Sequence, residues 1–440
     1  MKRILSPALL SLLLLAPALL TAQEPIADAA GAFPAVVSRE SLREELRRDP
    51  RKSGSVYLVY PDPPAVRPAL PEGFEPVYVS HYGRHGSRWI TTDERYTAVL
   101  HPFEAAHASR TLTPLGEDVL QRLRRVWADA EGRGGDLSPV GERQHRAIAQ
   151  RLCRACPALF GGDSVRIEAV ASLSPRCILS MAAFTEALKE YNPTLQIRRE
   201  ASRRTMQYVA YTSPEAEAFG SEDAPWRADF HAFEAARIRP QRLMAALFTD
   251  PGAVDAPGEL MMGLYWIASD MQDVEVGENF YDLFTDEELF GIWECINNRM
   301  YLCNADAPLN GGIAVRSAVS LLREVVDAAD RALAEGVPGA TLRFGHDTNL
   351  IRLLALMQSD RCSGRTEDPE RYAEVWQDFR VVPMAANLQL IFGRNAAGEV
   401  VVQLLHNERL TRLPVETPYE GCYPWPVLRA YFEERLAECR

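Results

Sequence analysis

Beyond its first twenty residues the chain lacks any apolar run long enough to cross a bilayer, which excludes a multi-span membrane protein. It also lacks an excess of positive charge: 48 Lys and Arg stand against 60 Asp and Glu, a formal net charge of −12 over 440 residues. A chain this acidic has no global field with which to hold nucleic acid or anionic lipid, so any phosphate it binds must meet a local pocket. No internal repeat and no low-complexity tract is present. Cys153-Arg154-Ala155-Cys156 has no second CxxC pair near it, which leaves zinc and dithiol redox chemistry without their usual pattern. What is there, 47% hydrophobic and 25% charged residues, is the composition of a folded, soluble protein with one large or two modest domains.

The N-terminal segment points to export. Lys2 and Arg3 precede an apolar run over residues 4–20, and Thr21-Ala22-Gln23 offers a small-residue cleavage site, so residues 1–22 read as a signal peptide. The mature chain is then expected in a periplasm or outside the cell, with no membrane span, and nothing in it specifies an oligomer. Eight cysteines in an exported chain permit disulfides. Cys295 with Cys303 and Cys422 with Cys439 are near enough in sequence to close small loops, whereas Cys177 is expected to stay free inside a buried helix.

Residues 23–70 are mixed in charge and end in the proline-rich Tyr60-Pro61-Asp62-Pro63-Pro64, a lead-in that wraps the body. Short β-prone runs then appear at 76–80, 165–171 and 340–344, each followed by helix-forming sequence. Thr113-Pro114, Ser138-Pro139 and Ser174-Pro175 are helix starts, and a longer helix is expected over 313–333. From 206 to 310 the rhythm changes. Trp226, Phe230, Phe233, Leu243 and Leu247 recur at helical spacing, and Thr285-Asp286-Glu287-Glu288 is a capping box. Strands at 387–392 and 400–405 and a helix near 427–437 complete the pattern. The expected architecture is α/β, a mainly parallel sheet flanked by helices on both faces. Its core comprises residues 71–205 and 311–440, with an α-helical cap inserted at 206–310.

The sharpest local signal is His81-Tyr82-Gly83-Arg84-His85-Gly86-Ser87-Arg88, which directly follows the first strand, at the carboxyl end where open α/β sheets bind ligands. A neutral imidazole between arginines suits attack on phosphorus. Guanidinium groups hold phosphate oxygens through charge-assisted forks, stabilise the transferring phosphoryl group and favour the neutral form of His85. Gly86 is expected to let the backbone approach a ligand. The second signal, Gly345-His346-Asp347-Thr348-Asn349-Leu350, also follows a strand. There His346 can donate to a phosphate oxygen, and Asp347, when protonated, can supply a departing alkoxide; a lone aspartate here would simply cap the next helix. A third strand leads to Ser172-Leu173-Ser174-Pro175-Arg176, with Arg176 in the first turn of a helix. If these strands are parallel and neighbouring, Arg84, His85, Arg88, Arg176, His346 and Asp347 meet at one sheet edge. His101, His107, His145, His231 and His406 have no such setting and are read as structural or solvated.

These three motifs resemble the histidine acid phosphatases, the second branch of the histidine phosphatase superfamily, which includes phytases, glucose-1-phosphatases and multiple inositol polyphosphate phosphatases. The resemblance spans roughly residues 74–440, helical insertion included. It implies a secreted phosphomonoester hydrolase in which His85 becomes phosphorylated, Arg84, Arg88, Arg176 and His346 hold the phosphate, and Asp347 protonates the leaving group. Water then cleaves the phosphohistidine, with no metal or other cofactor. Two places depart from the family pattern. Trp89-Ile90 stands where many members have proline two residues after the second arginine, and His346-Asp347 stands where inositol polyphosphate phosphatases commonly have His-Ala-Glu. The substrate is therefore open between inositol phosphates such as phytate and other phosphomonoesters. Two readings compete with hydrolysis: a phosphomutase or phosphotransferase using the same phosphohistidine, and a non-catalytic phosphoester-binding protein, for which Asp347 would have no use.

Overall fold

The computed structural model describes residues 36–64, 68–163 and 165–439, so the signal-peptide segment lies outside the described residues. Eight strands form one sheet: β1 (Glu75–Arg84), β2 (Arg166–Ala171), β3 (Gln196–Ala201), β4 (Gly339–Gly345), β5 (Asn387–Arg394), β6 (Val400–His406), β7 (Arg409–Leu410) and β8 (Cys422–Pro424). Their order is β3-β2-β4-β1-β5-β6-β7, with β8 beside β6. β3, β2, β4 and β1 are parallel, and every pairing from β1–β5 onward is antiparallel. The sheet is thus parallel over the four strands that include the motif-bearing three and antiparallel beyond them. The link from β5 to β6 is too short for a parallel crossover, so those strands pair as a hairpin.

Burial on both faces explains the near-continuous apolar reading of the central strands, and β4 is buried along its whole length. Alternate residues feed two cores. Tyr78, Tyr82, Leu390 and Phe392 pack with Leu322 and Val326 of the helix Val319–Glu335. On the other face Val79, Leu342 and Phe344 meet Ile148 and Leu152 of the helix Pro139–Ala155 and Phe184 of the helix Pro175–Tyr191.

The expected helix starts form, two of the three with a side-chain cap, while Ser174 precedes its helix without one. Thr113 Oγ1 accepts from the Gly116 N–H and Ser138 Oγ from the Gly141 N–H, while Thr285 and Glu288 make both bonds of the capping box. The helix expected over 313–333 is instead two, Ile313–Arg316 and Val319–Glu335. Three elements had no sequence signal strong enough to find them. β3 is a charged edge strand with one large apolar residue, Ile197. The helix Asp93–Ser109 carries Pro102 in its interior, and the helix Arg39–Arg48 lies in the lead-in. Between β3 and β4 the chain is helical, including Arg227–Arg237, Pro257–Asp270 and Asp286–Asn304, and this section packs in one compact unit with the sheet. Among the described residues no helix is long and apolar enough to cross a membrane.

Cys295, Cys303, Cys422 and Cys439 are free thiols, which corrects the suggested pairings. Cys295 and Cys303 lie eight residues apart on the helix Asp286–Asn304, so their Cα atoms are separated by ~12 Å, beyond the ~7 Å a disulfide spans. Cys422 precedes the helix Trp425–Glu438 and Cys439 follows it, with ~21 Å of helix between them. Alkylation in denaturant without reductant, mapped by mass spectrometry, is expected to label Cys295, Cys303, Cys422 and Cys439, and an unlabelled pair would show a disulfide.

Candidate active site

The strand register brings the three motifs to one edge. Arg84 is opposite Gly345 across β1 and β4, and Ala171 is opposite Phe344 across β2 and β4, so the residues after all three strands emerge together. The pairing continues past the strand ends: the His85 N–H donates to Gly345 O at 3.0 Å and the Ser172 N–H to Phe344 O at 2.9 Å. Gly345 has no room for a side chain, since a Cβ there would lie 2.5 Å from Val209 O.

His85 is buried, with Nδ1 2.9 Å from the carbonyl oxygen of Gly86. A carbonyl only accepts, so Nδ1 carries the hydrogen and Nε2 presents its lone pair. Burial, reinforced by Arg84, Arg176 and Arg88, holds the imidazole pKa well below its ordinary value, and the ring is neutral. His346 stands edge-on to it with ring centroids 5.7 Å apart. Its Nε2 is 3.1 Å from Ser172 Oγ, and its backbone N–H donates to Tyr82 Oη. Burial, opposed by Asp347 and aided by the arginines, brings His346 down to about 4.

Three guanidinium groups surround these rings, each held differently. Arg84 is fully buried. Its Nη1 donates to Val56 O at 2.5 Å and Val382 O at 2.7 Å, and its Nη2 lies 3.0 Å from Asp347 Oδ2. Arg88 donates through Nη1 to Trp89 O and through Nη2 to Tyr57 Oη, and stacks 4.7 Å over the Tyr57 ring. Arg176 makes no ion pair among the described residues, and its buried Nε has no hydrogen-bond partner, so this cation is open to an incoming anion. Asp347 is the first residue of the helix Asp347–Leu356, not its cap, and its Oδ1 accepts from the Thr348 N–H at 2.8 Å. Burial pushes its carboxyl up, but Arg84 and His346 outweigh burial and leave it below the usual carboxylate value. Asp347 is therefore ionised.

All six residues picked from the sequence therefore meet, and the structure adds supports that the sequence did not disclose. Val56 and Tyr57 reach the cup from the 3₁₀ segment Pro50–Tyr57 of the lead-in. The preceding Ser55 has φ 59°, ψ −129°, and its hydroxyl is held by the buried Asp378, which also accepts from Trp293 Nε1 and the Phe379 N–H. No local pattern marks these residues. Gly86 has a different use from the one expected: a Cβ there would lie 2.6 Å from Gly141 Cα, so it allows backbone to pack on backbone at the start of the helix Pro139–Ala155. His145 and His406 are buried in the core, while His101, His107 and His231 lie at the surface. No cluster of three or more potential metal-ligating side chains occurs among the described residues.

A cup of three arginines around a neutral imidazole, at the carboxyl edge of parallel strands, has the charge and the donors that a phosphoryl group requires. No family model and no curated protein matches the chain. Solved structures do. The Bifidobacterium longum multiple inositol polyphosphate phosphatase in complex with inositol hexasulfate is 16% identical, with a TM-score of 0.72 over 87% of this chain and 97% of that one. Its complex with phosphate is 17% identical, with the same TM-score and coverage. The phytase from D. castellii is 15% identical, with a TM-score of 0.65 over 88% of this chain and 85% of that one. The chain thus has the fold of these phosphatases, in agreement with the resemblance of its motifs to histidine acid phosphatases. Inorganic phosphate at 100 times its Kd is expected to stabilise the protein by about 2.7 kcal/mol in thermal unfolding. Arg176→Ala should remove most of that gain, and an unchanged gain would show that the anion binds elsewhere.

Proposed function

We propose that the protein is a phosphomonoester hydrolase of the histidine acid phosphatase type, working through a covalent phosphohistidine. The observation that carries this reading is the tautomer of His85, whose Nδ1 is committed to the Gly86 carbonyl while Nε2 presents its lone pair among Arg84, Arg88 and Arg176. Nε2 attacks phosphorus as the bond to the leaving oxygen breaks, and Asp347 gives that oxygen a proton. Water then attacks phosphorus, Asp347 takes the water proton, and the N–P bond breaks to restore His85 and release inorganic phosphate. The three arginines and His346 hold the non-bridging oxygens throughout. Inositol phosphates are the substrate class we propose first, supported by the shared fold of the B. longum enzyme whose structure holds inositol hexasulfate. Export forms part of the proposal, on the pattern of residues 1–22.

His85→Ala is expected to abolish release of inorganic phosphate from p-nitrophenyl phosphate with water as sole acceptor, in a protein that still unfolds cooperatively. Retained turnover would remove the nucleophile assignment. Asp347→Asn should slow alkyl phosphates at least about tenfold more than aryl phosphates, whose leaving groups need less help. Equal losses would reject the acid role.

The Arg84 pairing favours ionised Asp347, so the acid must take up a proton before it can give one to the leaving oxygen. A dianion that engages Arg84 both draws off the guanidinium and brings negative charge to the carboxylate, and each change raises the Asp347 pKa. Sulfate, which does not titrate above pH 5, is therefore expected to bind at pH 5.5 with net proton uptake, measured by calorimetry in buffers of different ionisation enthalpy. Asp347→Asn should abolish that uptake; uptake unchanged in the variant would mean another group takes the proton.

A further inference from the structure

The segment Ser87-Arg88-Trp89-Ile90 carries the second motif arginine, and both its ends are held by one turn of the helical section. At the first end Ser87 Oγ donates to Asp273 Oδ1 at 2.5 Å and accepts from Gln144 Nε2 at 2.8 Å. At the other end the Ile90 N–H donates to Tyr96 Oη at 2.9 Å, and Tyr96 Oη donates to Asp270 Oδ2 at 2.6 Å. Proline at position 90 could not make the first of these two bonds. Asp270 ends the helix Pro257–Asp270, and the Asp273 N–H bonds back to its carbonyl at 2.8 Å. Ser138 Oγ donates to Asp273 O at 2.6 Å, anchoring the same turn to the start of the helix Pro139–Ala155.

Both carboxyl groups are fully buried, and Asp270 Oδ1 and Asp273 Oδ2 have no hydrogen-bond donor among the described residues. Burial raises both pKa values, Asp270 to about 7, with Arg88 acting against the rise in each case. In such a position the neutral form of each carboxyl is favoured. Neither carboxyl is bonded to Arg88, whose own hydrogen bonds go to neutral acceptors, Trp89 O and Tyr57 Oη. A carboxylate bonded directly to Arg88 would compete with phosphate for the same donors.

We propose that Asp273, with Asp270 behind it, is a positioning residue of the phosphate site: through Ser87 it fixes the segment that carries Arg88 and leaves free the donors that phosphate needs. The assignment rests on the phosphatase reading, and it gives the helical section a part in the chemistry.

The test is a double-mutant cycle read in two ways, as the Kd for inorganic phosphate and as kcat/KM for p-nitrophenyl phosphate. Asp273→Ala is expected to weaken both by about tenfold or more in the wild-type background. In an Arg88→Ala background the same change should cost less than about twofold, because the group through which it acts is gone. Asp273→Asn, which keeps an acceptor for Ser87, should recover part of the loss. Equal losses in both backgrounds, or less than about twofold in the wild type, would overturn the proposal. If Asp273→Ala does not fold, Ser87→Ala removes the same hydrogen bond and goes through the same cycle. Wild-type protein that binds phosphate but releases none from the ester would defeat the phosphatase reading alone, since the Kd cycle still decides the positioning role.

Discussion

Concentrating three guanidinium charges around one buried imidazole is the constraint on which the rest of this structure depends. Two like charges some 6 Å apart repel by about 3 kcal/mol at an effective dielectric constant near 20. The protein answers with neutral acceptors and remote carboxyls. Arg84 leans on the carbonyls of Val56 and Val382, Arg88 on Trp89 O and the face of Tyr57, and among the described residues Asp347 is the one carboxylate in direct contact, with Arg84. The same charges, with burial, keep His85 neutral, so the arrangement that is hard to assemble is also the one that makes a nucleophile.

That demand recruits distant parts of the chain. The Ser55 hydroxyl bonds Asp378, 323 residues away, and so sets the backbone that aims Val56 O at Arg84. Ser87 bonds Asp273, 186 residues away, from the helical section. Lead-in, sheet and helical section therefore all contribute to one cup, and the large core that joins them, from Tyr57 through Tyr265 to Leu390, makes them a single packing unit.

Much of this was legible in the residues because strand ends and helix starts have local signatures. The β-prone runs before His85, before Ser172 and before His346 became β1, β2 and β4, and the Ser-Pro and Thr-Pro pairs became helix starts. What was not legible has equally physical reasons. β3 pairs through its backbone while its side chains are mostly polar, so it lacks an apolar alternation. The break between Arg316 and Val319 and the use of Gly86 against Gly141 depend on what packs opposite, which no local pattern states.

The sequence by itself determined which chemistry was possible: imidazole, guanidinium and carboxyl groups at strand ends, in motifs whose side chains suit a phosphoryl group. Tertiary structure decided which tautomer His85 adopts, that Asp347 is ionised and paired with Arg84, that Cys295 and Cys303 stay apart as do Cys422 and Cys439, and that Asp273 and Asp378 stand behind the arginines. Tautomers, charge states and orphaned carboxyl oxygens are set by partners within a few ångströms, and those partners are brought together only when residues hundreds of positions apart pack on one sheet.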